Sequence, residues 1–462
     1  MTQDLRSYIN ILQQQGELVT ITRQADPLTQ LGVLLWQSDQ AILFTNVKGY
    51  PNWRIIGQIA KTRKQIATAL NTTPERAVVE AAERIQSGPV KCRLVQDGPV
   101  KEKKFYGDDV DLNKIPVAFS SEGDVAPFIT GGLCIVKDPE TGIRNVAIHR
   151  LQVKSRNHTG VLMVPRHTWM IYEKYQLLKK PMPMAVVIGH HPTYEIAAAY
   201  CGPFGLDELE VAGALLREPA DLVRCETIDV EVPARAEIIL EGEVLPEVRE
   251  EEGPFGEFQG YLLTGKGMNP IFRIRAITMR DDAIYRHMQS GRPPTEHQTL
   301  VGFPMEIAIY QHVKDVEGFI ELKDVHVPPS GGCFTVILQL IPNYEGQAKN
   351  ALMAALSSPY LHPKIAVAVD DDVDIYDPSD ILWAVSTRCN PSKDIFIIDG
   401  TRNHPMDPSL PVISQPGGRW QRVGSKMGID ATKPSTSFSE ERKKMDRILP
   451  IGWKRYDLKD FI

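Results

Sequence analysis

The chain reads as a mixed α/β protein in three successive regions: an N-terminal α/β region, a central β-rich region with the character of a barrel, and a C-terminal α/β region. Three observations predict this. A helical pattern is followed at once by a strand pattern at the N-terminus. Helix signals then thin out between Pro116 and Ile284 while short strand patterns accumulate, and from Phe334 strand and helix patterns alternate. At 462 residues, 42% apolar and 24% charged, the chain can bury more than one core.

Leu5, Tyr8, Ile9 and Leu12 recur at helical spacing, Gly16 stops that helix, and Leu18–Ile21 reads as a strand. These open a scaffold region over residues 1–115. The central region, 116–310, carries strand patterns at 132–136, 185–188, 236–240 and 271–277, and a linker helix completes it. In the C-terminal region, 311–440, strand (334–340), helix (345–356), strand (365–369), helix (379–385) and strand (394–398) alternate, which predicts parallel layers. The Pro-rich stretch from Pro405 to Pro416 reads as loop, and residues 441–462 as a C-terminal helix and tail, with the helix over 440–449.

Composition excludes several functions. A net charge of -6 and a pI near 6.0, without Lys and Arg clusters interleaved with aromatics, leave no footprint for nucleic acid. Residues 1–6 lack the basic and apolar regions of a signal peptide, and no apolar run is long enough to span a bilayer, so no membrane association and a cytoplasmic location are expected. The six cysteines are scattered without a C-x-x-C pair, which argues against a zinc site or redox dithiol and reads them as mostly buried small hydrophobes.

The most informative stretch is E-E-G-P-F-G-E-F-Q-G-Y, residues 251–261. Glu252 and Glu257 flank a Gly-Pro-Phe-Gly turn, in which Gly253 and Pro254 bend the backbone and Gly256 allows close approach, so both acids can face one cleft. Enclosed carboxyls have raised pKa values and serve as acid or base near neutrality. By spacing alone the run reads more readily as an acidic surface turn, in keeping with Glu247, Glu250 and Glu251 beside it.

The run Glu252 to Tyr261 closely resembles the E-G-P-F-G-E-x-x-G-(Y/H) signature of the UbiD family of reversible decarboxylases, which use prenylated FMN. Other elements stand in family order. Asn145-Val-Ala-Ile-His-Arg150 is similar to its N-x-x-I-x-R element, and Val164-Pro165-Arg166-His167 follows. Asp207-Glu208 to Ala214 resembles its S-E-Y-x-x-A-G-A segment, with Asp207 in place of the common Ser. Lys364 to Asp374 and Trp383 to Thr387 resemble its K-x-V-I-V-V-D-x-D-V-D and W-A-x-S-T elements.

The resemblance implies a carboxy-lyase with a flavin-binding central domain. Asn145, His167 and Glu208 are its implied metal ligands, holding a divalent ion against the flavin phosphate; an amide oxygen, an imidazole and a carboxylate suit Mn²⁺ or Mg²⁺ better than Zn²⁺. Potassium is a further implied ion, to which no residue here points. Ile148, His149, Arg150, Arg166 and His167 are implied to line the flavin, and Lys364 to reach it from the C-terminal region. Arg150 is the implied clamp for the substrate carboxylate, a role that suits a guanidinium's paired donors. Glu252 is implied to balance Arg150, and Glu257 to donate a proton to the carbon that loses CO₂. An aryl carboxylate resists decarboxylation because its in-plane carbanion is not delocalised, so an electrophilic cofactor must first take up the ring carbon.

His297, in Pro294-Thr-Glu-His297-Gln298, falls on the implied substrate wall and resembles the branch acting on furan or pyrrole carboxylates more than the phenolic-acid branch. Met305 stands where furan-dicarboxylate enzymes carry Arg, which leans toward a monocarboxylate. A phenolic-acid decarboxylase is the alternative within the family, and a non-catalytic flavin-binding assembly protein the alternative outside it. The implied partners are a small carboxylic acid and a flavin prenyltransferase, with assembly as a homodimer or homohexamer. His190 and His191 read as structural, Asp370, Asp372 and Asp374 as solvation of a strand end, and Glu195 and Glu210 as acids without a partner motif.

Overall fold

A computed structural model describes residues 3–262, 266–414, 420–453 and 455–461. The chain divides into two compact units, one formed by residues 1–308, 327–334 and 404–411, the other by residues 309–326, 335–403 and 412–462.

In the first unit, Asp4 caps the helix Leu5–Gln14 by accepting from the Ser7 amide, and Leu5, Tyr8, Ile9 and Leu12 are buried along one face as their spacing predicts. A four-stranded sheet follows the order 18–21, 41–44, 54–57 and 284–286, so the last strand of the central region closes the sheet of the first. The larger element is a nine-stranded, mainly antiparallel sheet. Its path runs through strands 128–129, 151–153, 158–161, 267–279, 238–252, 182–188, 132–137 and 144–148, with 103–106 paired to 267–279. The barrel expectation is corrected here: this path has two ends, and no closed barrel forms among the described residues.

The sequence also understates helix in this region. His167–Leu177, Pro192–Ala199 and Glu208–Leu216 are all helical. The last two are buried nearly all round, so they show no polar and apolar alternation at helical period. Their neighbours form one core that includes Cys134, Val186, Ile188, Leu240, Phe272 and Tyr285. All six cysteines are free, but only Cys134 and Cys333 are fully buried.

In the second unit a six-stranded sheet has the order 321–326, 335–341, 365–369, 420–431 and 395–403, with 412–414 paired to 420–431. The parallel expectation holds for Thr335–Ile341, Ile365–Val369 and Trp420–Ala431, whereas Ile395–Asn403 runs antiparallel. The strand Trp420–Ala431 inserts between the two strands that the alternation makes neighbours. Its glycines and charges hide it from a propensity reading. The stretch read as loop includes the strand Val412–Ser414, and Gln415 and Pro416 lie outside the described residues. The terminal helix is shorter than expected, Ser439–Lys443. Beyond it Arg447 pairs with Asp380 and stacks over Trp383 at 4.1 Å, tertiary ties that local propensity does not contain.

Three acidic readings are corrected. Asp370 is fully buried and paired with Arg442, and Asp372 is bound by Arg388 at 2.7 Å and Lys433 at 3.4 Å, so these two are ion-paired anchors rather than strand-end solvation. Glu195 has a partner, Arg286, at 3.1 Å. His190 and His191 are buried as expected, and His191 caps the helix Pro192–Ala199 through the Thr193 amide. Among the described residues no helix is long and apolar enough to cross a membrane.

Candidate active site

The strand Arg144–Ile148 is the common support of the implied metal ligands, because the helices His167–Leu177 and Glu208–Leu216 both pack against it by their N-terminal ends. Asp207 caps the second helix through the Leu209 amide at 3.0 Å and pairs with Arg144 at 2.6 Å. It therefore does the capping work of a serine and adds a charge link to the strand. Glu208, 5% exposed, accepts from the Val146 amide at 2.7 Å. The Asn145 amide nitrogen donates to Thr168 Oγ1 at 3.0 Å, which turns the amide oxygen into the group on offer to a cation. Thr168 in turn meets His149 Nε2 at 3.1 Å, a contact that a neutral imidazole makes as donor or as acceptor. Burial pushes His149 down to about 4, in keeping with that.

The donor set fits a divalent cation. Burial pushes Glu208 up to about 8, and no cationic side chain bonds it among the described residues, so its anion lacks the counter-charge that a buried carboxylate requires. His167, half-buried with its ring edge against Phe204 at 5.4 Å, is held below its ordinary pKa by burial and by Arg166, and a neutral imidazole is the ligating form. Ile148 lies at the end of the same strand, paired with Leu133. Lys364 belongs to the second unit, where it precedes the strand Ile365–Val369 and its carbonyl accepts from the Met427 amide at 2.7 Å.

The two acids of the signature do face one arginine. The strand Ile238–Glu252 ends at Glu252, after which Gly253 takes φ 94° and precedes a cis peptide to Pro254. The Gly253 amide donates to Gln152 Oε1 at 2.9 Å and the Gly256 amide to Asp124 Oδ1 at 2.7 Å, so the turn is anchored at both glycines. A Cβ on Gly256 would collide with the Ser121 side chain, which explains the glycine. Arg150 donates from Nε and Nη2 to both oxygens of Glu252 at 3.0 and 2.8 Å, and from Nη1 to Glu257. Asn269 Nδ2 adds a bond to Glu252 at 2.9 Å. Phe255 and Phe128 lie under the guanidinium at 5.1 and 5.9 Å from the ring centres.

Electrostatics divides the roles. Burial works against the Arg150 charge, but the carboxylates outweigh it and hold its pKa above the ordinary value. Burial pushes Glu257 up to about 7; Arg150 opposes this, while Glu252 and Asp124 add to it. Of the five N–H donors of Arg150, three are used by Glu252 and Glu257, which leaves two for an incoming carboxylate.

His297, at the start of the helix Glu296–Val316, bonds Ser290 Oγ at 2.9 Å through Nδ1, and burial pushes it down to about 4. Ser290 also donates to the Gly256 carbonyl at 3.0 Å, which links His297 to the signature turn. Phe258 stands edge-on to His297 and to His404, each at 5.7 Å, and Gln259 Nε2 holds the Met406 carbonyl at 2.9 Å. Met305 is fully buried. Behind the turn lies a cleft of about 820 Å³ whose wall includes Trp36, Asp124, Gly256, Ser290 and Arg292. Asp124, Thr168, Ser290 and His404 carry no motif of their own, and the sequence reading passes over them.

Comparison with known proteins decides the family. Residues 9–85, 93–293 and 298–431 match, in order, the N-terminal, Rift-related and C-terminal domains of 3-octaprenyl-4-hydroxybenzoate carboxy-lyase, UbiD. The chain belongs to the UbiD family. It is similar along 99% of its length, at 36% identity and TM-score 0.90, to all of the UbiD-class enzyme HmfF from Pelotomaculum thermopropionicum, solved in complex with FMN. It is also similar, at 31% identity and TM-score 0.88, to the 3,4-dihydroxybenzoic acid decarboxylase of Enterobacter cloacae, with 100% of this chain and 99% of that one covered. Vanillic acid decarboxylase from Sedimentibacter hydroxybenzoicus follows at 28% identity and TM-score 0.85, with 99% and 98% covered. This UbiD-family chain is accordingly a carboxy-lyase of mixed α/β fold.

Proposed function

We propose that the protein is a reversible, non-oxidative decarboxylase of a heteroaromatic monocarboxylic acid, a furan or pyrrole carboxylate, that uses prenylated FMN. The observation that carries this reading is the Arg150 cluster. One guanidinium with two donors to spare is flanked by Glu252, fixed by three hydrogen bonds, and by Glu257, whose pKa of about 7 lets it arrive protonated.

Arg150 binds the substrate carboxylate with its remaining N–H groups, and Glu252 keeps the guanidinium oriented. A third anion beside one arginine is unfavourable, so substrate binding favours the neutral form of Glu257. That proton goes to the ring carbon as CO₂ leaves, and in the reverse direction Glu257 takes it back. When bound, prenylated FMN supplies an electrophilic centre that accepts the ring electrons released with CO₂. Asn145, His167 and Glu208 would hold a Mn²⁺ or Mg²⁺ ion against the flavin phosphate, and the helix N-terminus at His167 also suits an anion. Ile148, His149, Arg166 and Lys364 are the further flavin-lining residues of this reading.

The substrate class rests on the rings gathered around Phe258, next to Glu257 in the chain. His297, Phe258 and His404 make this group aromatic, and both imidazoles are neutral, His404 being pushed by burial down to about 3. Such a group offers single hydrogen bonds and no cation. The buried thioether of Met305 likewise offers no charge to a second carboxylate. Protein made alongside a flavin prenyltransferase should release CO₂ from furan or pyrrole monocarboxylates faster than from indole or phenolic acids. A preference for phenolic acids would move it to that branch, and absence of prenylated flavin from the purified protein would favour a non-catalytic assembly role.

A further inference from the structure

Asp124 has no place in the reading above, yet its half-buried carboxylate is held by three backbone amides. It accepts from the Gly256 amide at 2.7 Å on one oxygen, and from the Ser121 and Ser120 amides at 2.9 and 3.2 Å on the other. The first bond ties the loop 120–124 to the peptide next to Glu257. Asp124 also lies within the field of Arg150, so three carboxylates share one cation.

Which of the three keeps a proton follows from their donors. Glu252 has both faces of the Arg150 fork and the Asn269 amide; Asp124 has three backbone amides. Each arrangement is made for an anion, because every donor needs an oxygen lone pair. Among the described residues Glu257 has a single side-chain donor, Arg150 Nη1. The remaining titratable neighbours do not compete: His297 and His404, reached through Phe258, and His287, which meets Ser120 Oγ at 3.2 Å, are all held neutral by burial.

We propose that Asp124 is a positioning residue of the decarboxylation: it pins the Gly256 amide and, as a fixed negative charge beside the Arg150 cluster, keeps on Glu257 the proton that each turnover consumes. In that turnover the bond between ring carbon and carboxylate breaks, CO₂ departs, the Glu257 O–H bond breaks, and its proton forms the new C–H bond. Glu257 is left as a carboxylate and regains a proton from water. The proposal rests on Glu257 as the proton donor. The direction of the Glu257 shift agrees with it, since Asp124 is among the groups that raise its pKa. Burial holds Asp124 above its ordinary pKa as well, against the opposing pull of its three amides and Arg150.

The test is an infrared titration of the holoenzyme, with the Glu257 carboxyl band identified by its loss in Glu257→Gln, in Asp124→Asn, Asp124→Ser and Asp124→Glu. Removing the charge should lower the Glu257 midpoint by about one pH unit, a tenfold loss of proton affinity, in both neutral variants. Asp124→Glu should restore it. The basic limb of product hydrogen exchange with D₂O should move by the same amount. An unmoved midpoint in either neutral variant that keeps its flavin and melting temperature overturns the proposal. Should neither fold, the wild-type spectrum decides: the Asp124 band, identified by its frequency change in Asp124→Glu, must belong to an ionised group at neutral pH, and a protonated Asp124 overturns the proposal. Wild-type exchange in Glu257→Gln instead removes the underlying proton-donor reading, so the two failures are distinct.

Discussion

Two clusters in the first unit have the same composition, one arginine between two glutamates, and opposite meanings. Arg286 binds Glu195 through Nε and Nη2 at 3.1 and 3.2 Å, Glu296 through Nη1 and Nη2 at 2.7 and 2.8 Å, and the His287 carbonyl at 2.6 Å. All five of its donors are spent, and all three side chains are fully buried. Arg150 spends three. Burial pushes a glutamate up to about 7 in both clusters, Glu195 in one and Glu257 in the other. A raised pKa therefore does not by itself single out an acid for catalysis. What distinguishes Glu257, the proposed proton donor, is unspent hydrogen-bonding capacity on the arginine beside it, together with its residual exposure, 5% against 0% for Glu195.

The largest expected effect separates the clusters by activity. Glu257→Gln keeps shape and polarity but removes the titratable proton, and should cost about two to four orders of magnitude in turnover at matched flavin content. Glu195→Gln should leave turnover within a few-fold. A comparable loss in both would erase the distinction.

Stability should divide them the other way. Arg286→Met leaves the fully buried Glu195 without a hydrogen-bond donor among the described residues, while Glu296 keeps the Gln58, Ile59 and Gln289 amides, and should cost about 3–5 kcal/mol in a urea melt. Arg150→Met should cost less, because Glu252 retains Asn269 and Glu257 keeps some exposure, whereas Glu195 loses its donor at zero exposure. Equal losses would mean that Arg150 is as structural as Arg286.

The sequence signals fall along the same line. The Arg150 cluster is legible because Glu252 and Glu257 sit in one short signature and Arg150 in another, and each motif carries its own turn or strand. The Arg286 cluster is not. Its members come from a helix without amphipathic pattern, from the strand Ile284–Arg286 that joins a distant sheet, and from the start of the helix Glu296–Val316. Glu195 reads as an acid without a partner because its partner is a tertiary one. The same reason hides Asp124, in a Ser- and Gly-rich loop, and His404, which reaches Phe258 only after the chain has run through four of the six strands of the other sheet. Strand order in the second unit and the open edge of the nine-stranded sheet depend likewise on pairing, which local patterns do not specify.

Two smaller effects sharpen the account away from the acids. On the proposed reading, in which Asn145, His167 and Glu208 would hold a divalent ion at the flavin phosphate, His167→Ala should lose metal and flavin together, with a drop in metal affinity of about 10–100-fold or more. Metal analysis and flavin absorbance of the purified variant check this, and stoichiometric flavin in metal-free protein would sink the ligand assignment. His297→Asn or His297→Phe should change the ranking of heteroaromatic against phenolic acids by about tenfold while flavin content stays constant. An unchanged ranking across the panel would show that His297 does not face the substrate.

The pH dependence follows from the same proton. On the proposed reading Glu257 acts protonated, so decarboxylation should be fully present below its pKa and fall as pH rises through about 7, for as long as the fold and Arg150 remain intact. A flat profile between pH 6 and pH 8, a window chosen to bracket that value by about one unit each way, would place the proton elsewhere.

The most direct measurement is hydrogen exchange of the decarboxylated product with D₂O, which runs the protonation step without needing CO₂. In wild-type holoenzyme the ring hydrogen should exchange. It should collapse in Glu257→Gln and persist in Glu252→Gln, whose defect should lie mainly in KM for the acid because Arg150 loses its orienting partner. Exchange at the wild-type rate in flavin-replete Glu257→Gln would contradict the account, and His297 would then become the leading candidate for the acid.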